Sequence, residues 1–415
     1  MYKNSKINLL QKYLIYFIPL ALLTGPFLPD FFVTIITFSF IYVIIKERKY
    51  KYLNNIFFKV FLIFYIYLLI NSFISENSLF SLKSSAVYLR FGIFSLAVWY
   101  IIDTNKDFIK IFNNFLIGAF IAAIIIGFYQ YIFGETIFGT PTPNNRLLLL
   151  TSDGLLLGQY LSRLFPLILA MMIYNYRSNY KYYFLLFILF ILTDAIIYIS
   201  GERTALGLLV ISSFFILIMI KKLKLFRVMT IFCSIALIFL ISFLNPEIKE
   251  RNIDYTLEQI GLNKDSEKIN LISSVHESHY ITAWKMFLEN PITGVGPNNF
   301  RKFCDQKEFY YSINSCSTHP HSTYLQILSE LGIVGISTFL FINCYLFIVC
   351  FRHIYSIVKS RKRYFDDYQI CLIACFLCTL WPFFPSLNFF NNWINIVYYL
   401  PVGFFLYSIY EKKHE

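Results

Sequence analysis

The sequence predicts an all-α polytopic membrane protein, and three observations carry that reading. Of 415 residues, 57% are hydrophobic and only 14% are charged. Ile/Leu/Phe-rich runs recur from end to end at the length of ~20 residues that a bilayer requires. The cations cluster between those runs. A soluble domain of this size needs far more polar surface, and an outer-membrane barrel carries short alternating strands instead. The formal net charge of +12 therefore does not point to nucleic acid, because the position of the cations matters more than their sum.

About twelve spans fit the hydropathy: residues 11–24, 30–45, 56–74, 86–102, 111–133, 153–174, 182–199, 204–220, 227–244, 322–350, 369–387 and 392–410. The first two form a hairpin through Thr24-Gly-Pro-Phe-Leu-Pro-Asp30 rather than a cleaved leader. With the N-terminus inside, most of the 36 Lys and Arg lie on inner segments. Both termini are thereby assigned to the cytoplasm of a bacterial inner membrane. Three parts follow: 1–244 with helices 1–9, a periplasmic loop domain with short helices at 245–321, and 322–415 with helices 10–12. No internal repeat marks an inverted-repeat transporter, although the span count is one that carriers share.

The long loop carries eight Lys/Arg against ten Asp/Glu, so it is not a basic docking patch. Ser274-Val-His-Glu277 has the pattern of a capping box, after which Ile281, Trp284 and Leu288 share one helix face suited to the membrane surface. Asn290-Pro291 ends that helix, and Thr293-Gly-Val-Gly-Pro-Asn-Asn-Phe300 turns tightly without the Lys-Ser/Thr of a nucleotide loop. Cys304 and Cys316 face an oxidising compartment and are expected to pair, a closure worth about 3 kcal/mol. The six other cysteines lie in spans, where they pack as small polarisable side chains.

Ionisable groups at span ends cost ~3 kcal/mol on insertion and are functional candidates by default. Here Arg90 opens the fourth span, Arg146 and Asp153 precede the sixth, Arg163 lies within it, and Gly201-Glu-Arg-Thr204 turns between the seventh and eighth. Asp194 and Glu330 sit deeper, as candidate counter-ions for buried arginines. An arginine fork suits a phosphate or diphosphate. His321 opens the tenth span after Pro320, where an imidazole can take a proton from a sugar hydroxyl; His319 is either its orienter or a plain loop residue. Glu330 can close a polar network with Gln326. Acidic pairs for a metal are scarce: the first outer loop has only Asp30, and Asp265-Ser-Glu267 is flanked by Lys264 and Lys268. Charge stabilisation of a leaving diphosphate then falls to arginines, with no metal and no cofactor expected.

Three segments together resemble the O-antigen ligase family, which also includes O-antigen polymerases and protein O-oligosaccharyltransferases. They are Ser200-Gly-Glu-Arg-Thr-Ala-Leu206, Trp284-Lys-Met-Phe-Leu-Glu-Asn-Pro-Ile-Thr-Gly-Val-Gly-Pro-Asn-Asn-Phe300, and His319-Pro-His-Ser-Thr-Tyr-Leu-Gln-Ile-Leu-Ser-Glu-Leu-Gly-Ile-Val-Gly335. The resemblance implies a GT-C-type fold and metal-independent, inverting transfer of a glycan from undecaprenyl diphosphate to a lipid A-core or glycan acceptor in the periplasmic leaflet. It places His321 on the catalytic histidine and Arg203 on a diphosphate-binding arginine, with Arg146 similar to a further one. Many relatives carry an arginine one turn before the loop tryptophan; this chain has His276, His279 and Tyr280 there. His279 or Arg301 is the candidate substitute. A ligase is the leading expectation, a polymerase of the same chemistry the alternative, and a transporter the rival from another class.

Overall fold

A computed structural model describes residues 6–150, 154–175, 180–259 and 272–411. Asp153 and the Lys264–Lys268 turn lie outside the described residues. The chain is an all-α polytopic membrane protein. Its helices are α1 (Lys6–Ala21), α2 (Phe27–Glu47), α3 (Ile56–Ile74), the short α4 (Ser78–Ser85), α5 (Leu89–Thr104), α6 (Phe108–Phe133), α7 (Leu157–Tyr174), α8 (Tyr180–Ile199), α9 (Arg203–Met219) and α10 (Lys224–Leu244). The loop holds α11 (Pro246–Lys249), a π turn at Glu250–Asp254, α12 (Tyr255–Gln259), α13 (Ser274–Glu289) and α14 (Phe300–Phe303), before α15 (Thr323–Ser360), α16 (Asp367–Leu380) and α17 (Asn392–Glu411). Among the described residues, 10 helices are long and apolar enough to cross a membrane; α9 and α16 are apolar but shorter. Together they match the twelve expected spans in order.

Burial follows from what each helix packs against. Helix α7 is buried along almost its whole length, with α16 on one side and α8 and α9 on others, whereas α10 and the second half of α15 turn Phe232, Phe239 and Phe347 outward. Apolar groups facing out are what a hydrocarbon solvent selects. Deep among these helices Arg227 pairs with Asp194 at 3.0 Å, and the pair is satisfied further by Ser213, Thr230 and Ser234. Asp194 therefore does neutralise a buried arginine, as a dry site demands.

Two departures from the expected spans have local causes. Helix α16 stops at Leu380 rather than continuing to 387, because Pro382 and Pro385 cannot continue it; residues 381–391 run irregularly instead. Helix α15 runs on to Ser360 but is broken at Gly332, whose φ of 63° lies in the left-handed region. The break frees backbone groups that the loop takes up. Val295 and Gly296 donate to the carbonyls of Ser329 and Glu330, both at 2.9 Å, and Ile333 donates to Pro291. A Cβ on Gly294 would meet the Glu330 carbonyl carbon at 2.4 Å, so only glycine lets the two backbones approach this closely.

The loop carries its own small core of Ala283, Met286, Val295, Phe300, Phe303, Cys304 and Phe309, closed by a Cys304–Cys316 disulfide with Cα atoms 5.1 Å apart. On the opposite face of α13, Trp284 and Leu288 are exposed. The helix cap is Ser273, one residue earlier than the motif suggested: its hydroxyl accepts the His276 N–H and also meets the His276 ring at 2.8 Å.

Candidate functional site

At the loop end of the bundle lies a cavity of about 2040 Å³. One wall is built on the turn between α8 and α9. Gly201 adopts a φ of 68°, and a Cβ there would meet Arg251 Nε at 2.6 Å. The missing side chain is what lets Arg251 lie across the turn. Arg251 comes from the π turn, which Asn252 ties to the Tyr198 carbonyl at 2.9 Å, and its guanidinium donates to the Asn144 carbonyl. Arg146 borders the same wall from an extended strap, whose Leu148 N–H is held by Gln130 at 2.7 Å; Arg203, at the start of α9, donates to Thr256.

Three guanidinium groups thus share one wall with the carboxylates of Glu202, Glu247 and Glu250, of which Glu202 is committed elsewhere. Glu202 is buried and accepts the Gly158 N–H at 2.7 Å, capping α7. Burial raises its carboxyl to about 8, against the pull of that N–H and of Arg146. Arg251 is pushed down to about 10 by burial and then by Arg146 and Arg203; burial also lowers Arg146, with Glu202 opposing. Neither Arg146 nor Arg251 makes an ion pair among the described residues. Such a wall has the electrostatics of a polyanion site.

Three imidazoles, those of His276, His319 and His321, line another part of the cavity, and the buried His279 packs against them. His321 has a left-handed φ of 54°, which turns it out of the chain just before the Ser322 cap of α15. Its ring contacts those of His319, His276 and His279 at centroid distances of 4.2, 5.3 and 5.3 Å. Ser317 lies 3.2 Å from its Nε2. The irregular segment after α16 holds this wall in place. Ser386 donates its N–H to the His321 carbonyl, accepts the Thr323 N–H on its hydroxyl, and accepts His319 Nε2–H on its carbonyl at 3.0 Å. Burial, and then the neighbouring His319, His276 and His279, lower His321 to about 3, and burial, with Arg301, His279 and His276 adding to it, lowers His319 to about 4. Both rings are neutral at pH 7. His276 is also held below its usual range, by burial, His279 and Arg203 in turn; the His279 ring is hydrogen-bonded to the Cys316 backbone, so the disulfide supports this cluster.

A third stretch of wall is apolar. Leu206, Gly207, Val210 and Ile211 of α9 face Phe383 and Phe384, and a Cβ on Gly207 would overlap Phe384 at 2.5 Å.

Several residues singled out in the sequence stand elsewhere. Arg90 does not line the cavity: it pairs with Asp30 at 2.7 Å, so each spends its charge on the other. Arg163 is buried behind the cavity, where it donates to Gln159 and to the Cys378 carbonyl and lies over the Tyr398 ring. Trp284 is 47% exposed against Phe287, outside the cavity lining. Glu330 neutralises no arginine by contact; its two oxygens accept the N–H groups of Asn298 and Phe300, both at 3.0 Å, and Gln326 at 3.1 Å, so its work is to anchor the loop on α15. Arg301 does line the cavity. No group of three or more His, Cys, Asp or Glu among the described residues is arranged to hold a metal.

The family model described as O-antigen ligase matches residues 184–340. Over that stretch the chain is similar to the O-antigen ligases. The matched residues include the Gly201–Arg203 turn, Arg251, α13 and the His319–His321 corner. Arg146, Ser386 and Asn388, which complete the cavity of this O-antigen ligase-like region, lie outside the match. No match is found among curated proteins. Arg251 and Ser386 escaped the sequence reading. The first has no local signature; the second had one, since the two prolines around it argue against a span.

Proposed function

We propose that the chain is a membrane glycosyltransferase of the O-antigen ligase kind, moving a glycan from undecaprenyl diphosphate to a lipid A-core acceptor on the periplasmic side. In this reading the diphosphate rests on Arg146, Arg203 and Arg251. An acceptor hydroxyl attacks the anomeric carbon while His321 takes its proton; the bond from that carbon to the diphosphate oxygen breaks, and its electron pair leaves on the diphosphate. Attack opposite the leaving group inverts the anomeric centre.

The observation that supports this most is one cavity lined by both His321 and the three arginines. His276 bridges them: its ring touches His321 and its charge state is sensitive to Arg203. A neutral imidazole is a proton acceptor from the outset, and a dianionic diphosphate arriving opposite raises its basicity. In this reading both termini lie in the cytoplasm.

Purified protein supplied with a polyprenyl-diphosphate glycan and a lipid A-core acceptor tests the reading. Transfer that is lost in both His321→Ala and Arg203→Ala is expected; unchanged transfer in either variant would sink the assignment. In cells, deletion that leaves a bare core indicates a ligase, and deletion that leaves a core bearing one repeat unit indicates a polymerase.

A further inference from the structure

The proposed chemistry leaves one cavity cation unused. Arg301, half-buried on α14, donates Nη2 to the Asn298 side chain at 3.2 Å, and its Nε is buried without a hydrogen-bond partner. No carboxylate pairs with it among the described residues, and Glu330, which feels its charge, has both oxygens engaged by the loop backbone and Gln326. A buried donor of a charged group left unpaired is costly unless something else fills it.

The setting of Arg301 is built rather than incidental. Asn298 is held at a left-handed φ of 61° and braced by Ser84 at 2.9 Å and Asn388 at 3.3 Å. The same cavity also presents Ser386, Asn388 and Asn391, uncharged groups suited to sugar hydroxyls, with Asn388 tied to Arg301 through Asn298. The place of Arg301 relative to the other arginines follows from their contacts. Arg301 is tied through Asn298 and Asn388 to the irregular segment whose Ser386 holds His319 and His321, whereas Arg203 reaches Thr256 in the loop after α10. In the reading above, with the leaving diphosphate on the Arg203 side, an inverting attack comes from the side of Arg301.

We infer that Arg301 is an anion subsite for the acceptor, and that the acceptor glycan carries a carboxylate or phosphate group close to its attacking hydroxyl. The inference rests on the glycosyl-transfer reading above. Its test uses the full chain with a polyprenyl-diphosphate donor and three matched acceptor pairs: a uronic acid and its methyl ester, a sugar phosphate and its dephosphorylated form, and a carrier-linked repeat unit and the same glycan on an uncharged lipid. In the wild type at least one anionic member is preferred in kcat/KM by about ten- to a hundredfold, the usual worth of a charged hydrogen-bonded contact. In Arg301→Gln that preference shrinks to within about threefold, and in Arg301→Lys it is partly kept. The pair that responds names the source of the anion. A preference unchanged in Arg301→Gln, or no preference in any pair, overturns the subsite. Thermal stabilisation by each acceptor is measured alongside. It keeps the test open where a variant does not turn over: equal stabilisation of wild type and Arg301→Gln by the anionic member also overturns it, whereas a wild type that binds acceptors but transfers nothing removes the glycosyl-transfer reading instead.

Discussion

His321 is poised by its neighbours more than by its own position. Burial, and then His319, His276 and His279, hold its ring down to about 3. The acid limb of kcat/KM, which reports the free protein, is therefore expected well below the ordinary imidazole value of ~6.5. Measuring transfer from pH 4 to 8 checks this, and a limb near 6.5 would contradict it. The same depression bears on stability. Between the unfolded value and about 3 the unfolded chain binds protons that folded His321 does not, so its contribution is present above ~6.5 and is lost as pH falls toward 3. Glu202 acts in the other sense: its raised carboxyl keeps a proton that the unfolded chain loses, so this contribution fades as pH rises toward about 8. Arg251→Ala is expected to lower transfer by about ten- to a hundredfold, the worth of one charged contact to the leaving group, with helix content by circular dichroism unchanged.

The turn between α8 and α9 and the disulfide-closed loop are the elements on which those residues depend. Gly201→Ala adds a Cβ where Arg251 Nε now lies and forces an unfavourable φ, at a cost of about 1–2 kcal/mol. It should reproduce the transfer defect of Arg251→Ala although Gly201 has no side chain to contribute. Equal activity of Gly201→Ala and wild type would show that Arg251 is not held by this turn. Cys304→Ser releases the loop that carries Cys316 and, through it, His279 and His321; a loss of about 3 kcal/mol of loop stability is expected, read as faster proteolysis between 300 and 320.

At the scale of the whole molecule, the helices were legible because bilayer thickness sets their length and each run announces itself locally. So were Arg203, His321 and the Gly294–Gly296 turn, through short motifs. The convergence of charges was not. Arg251 meets Asn144 across more than a hundred residues of chain, Arg90 and Arg163 look like site residues until Asp30 and the Cys378 carbonyl are seen to occupy them, and Glu330 reads as a counter-ion until the loop backbone is found on it. Span-end arginines carry the same letter whether they serve a ligand or a neighbour, and only the third dimension separates the two.

The wall of α9 below Arg203 has a further consequence. Leu206, Val210 and Ile211 continue from the arginine cluster down one side of the helix, with Phe383, 80% exposed, across from them. In the proposed reading, a greasy furrow leading away from a charged cradle would let an isoprenoid tail stay dissolved among the acyl chains while only its head is gripped. A carrier would then not have to be pulled out of the leaflet to react. Donors trimmed to a few prenyl units should then retain most of their turnover, and a bulky Val210→Trp should slow long-tailed donors and water-soluble short ones unequally.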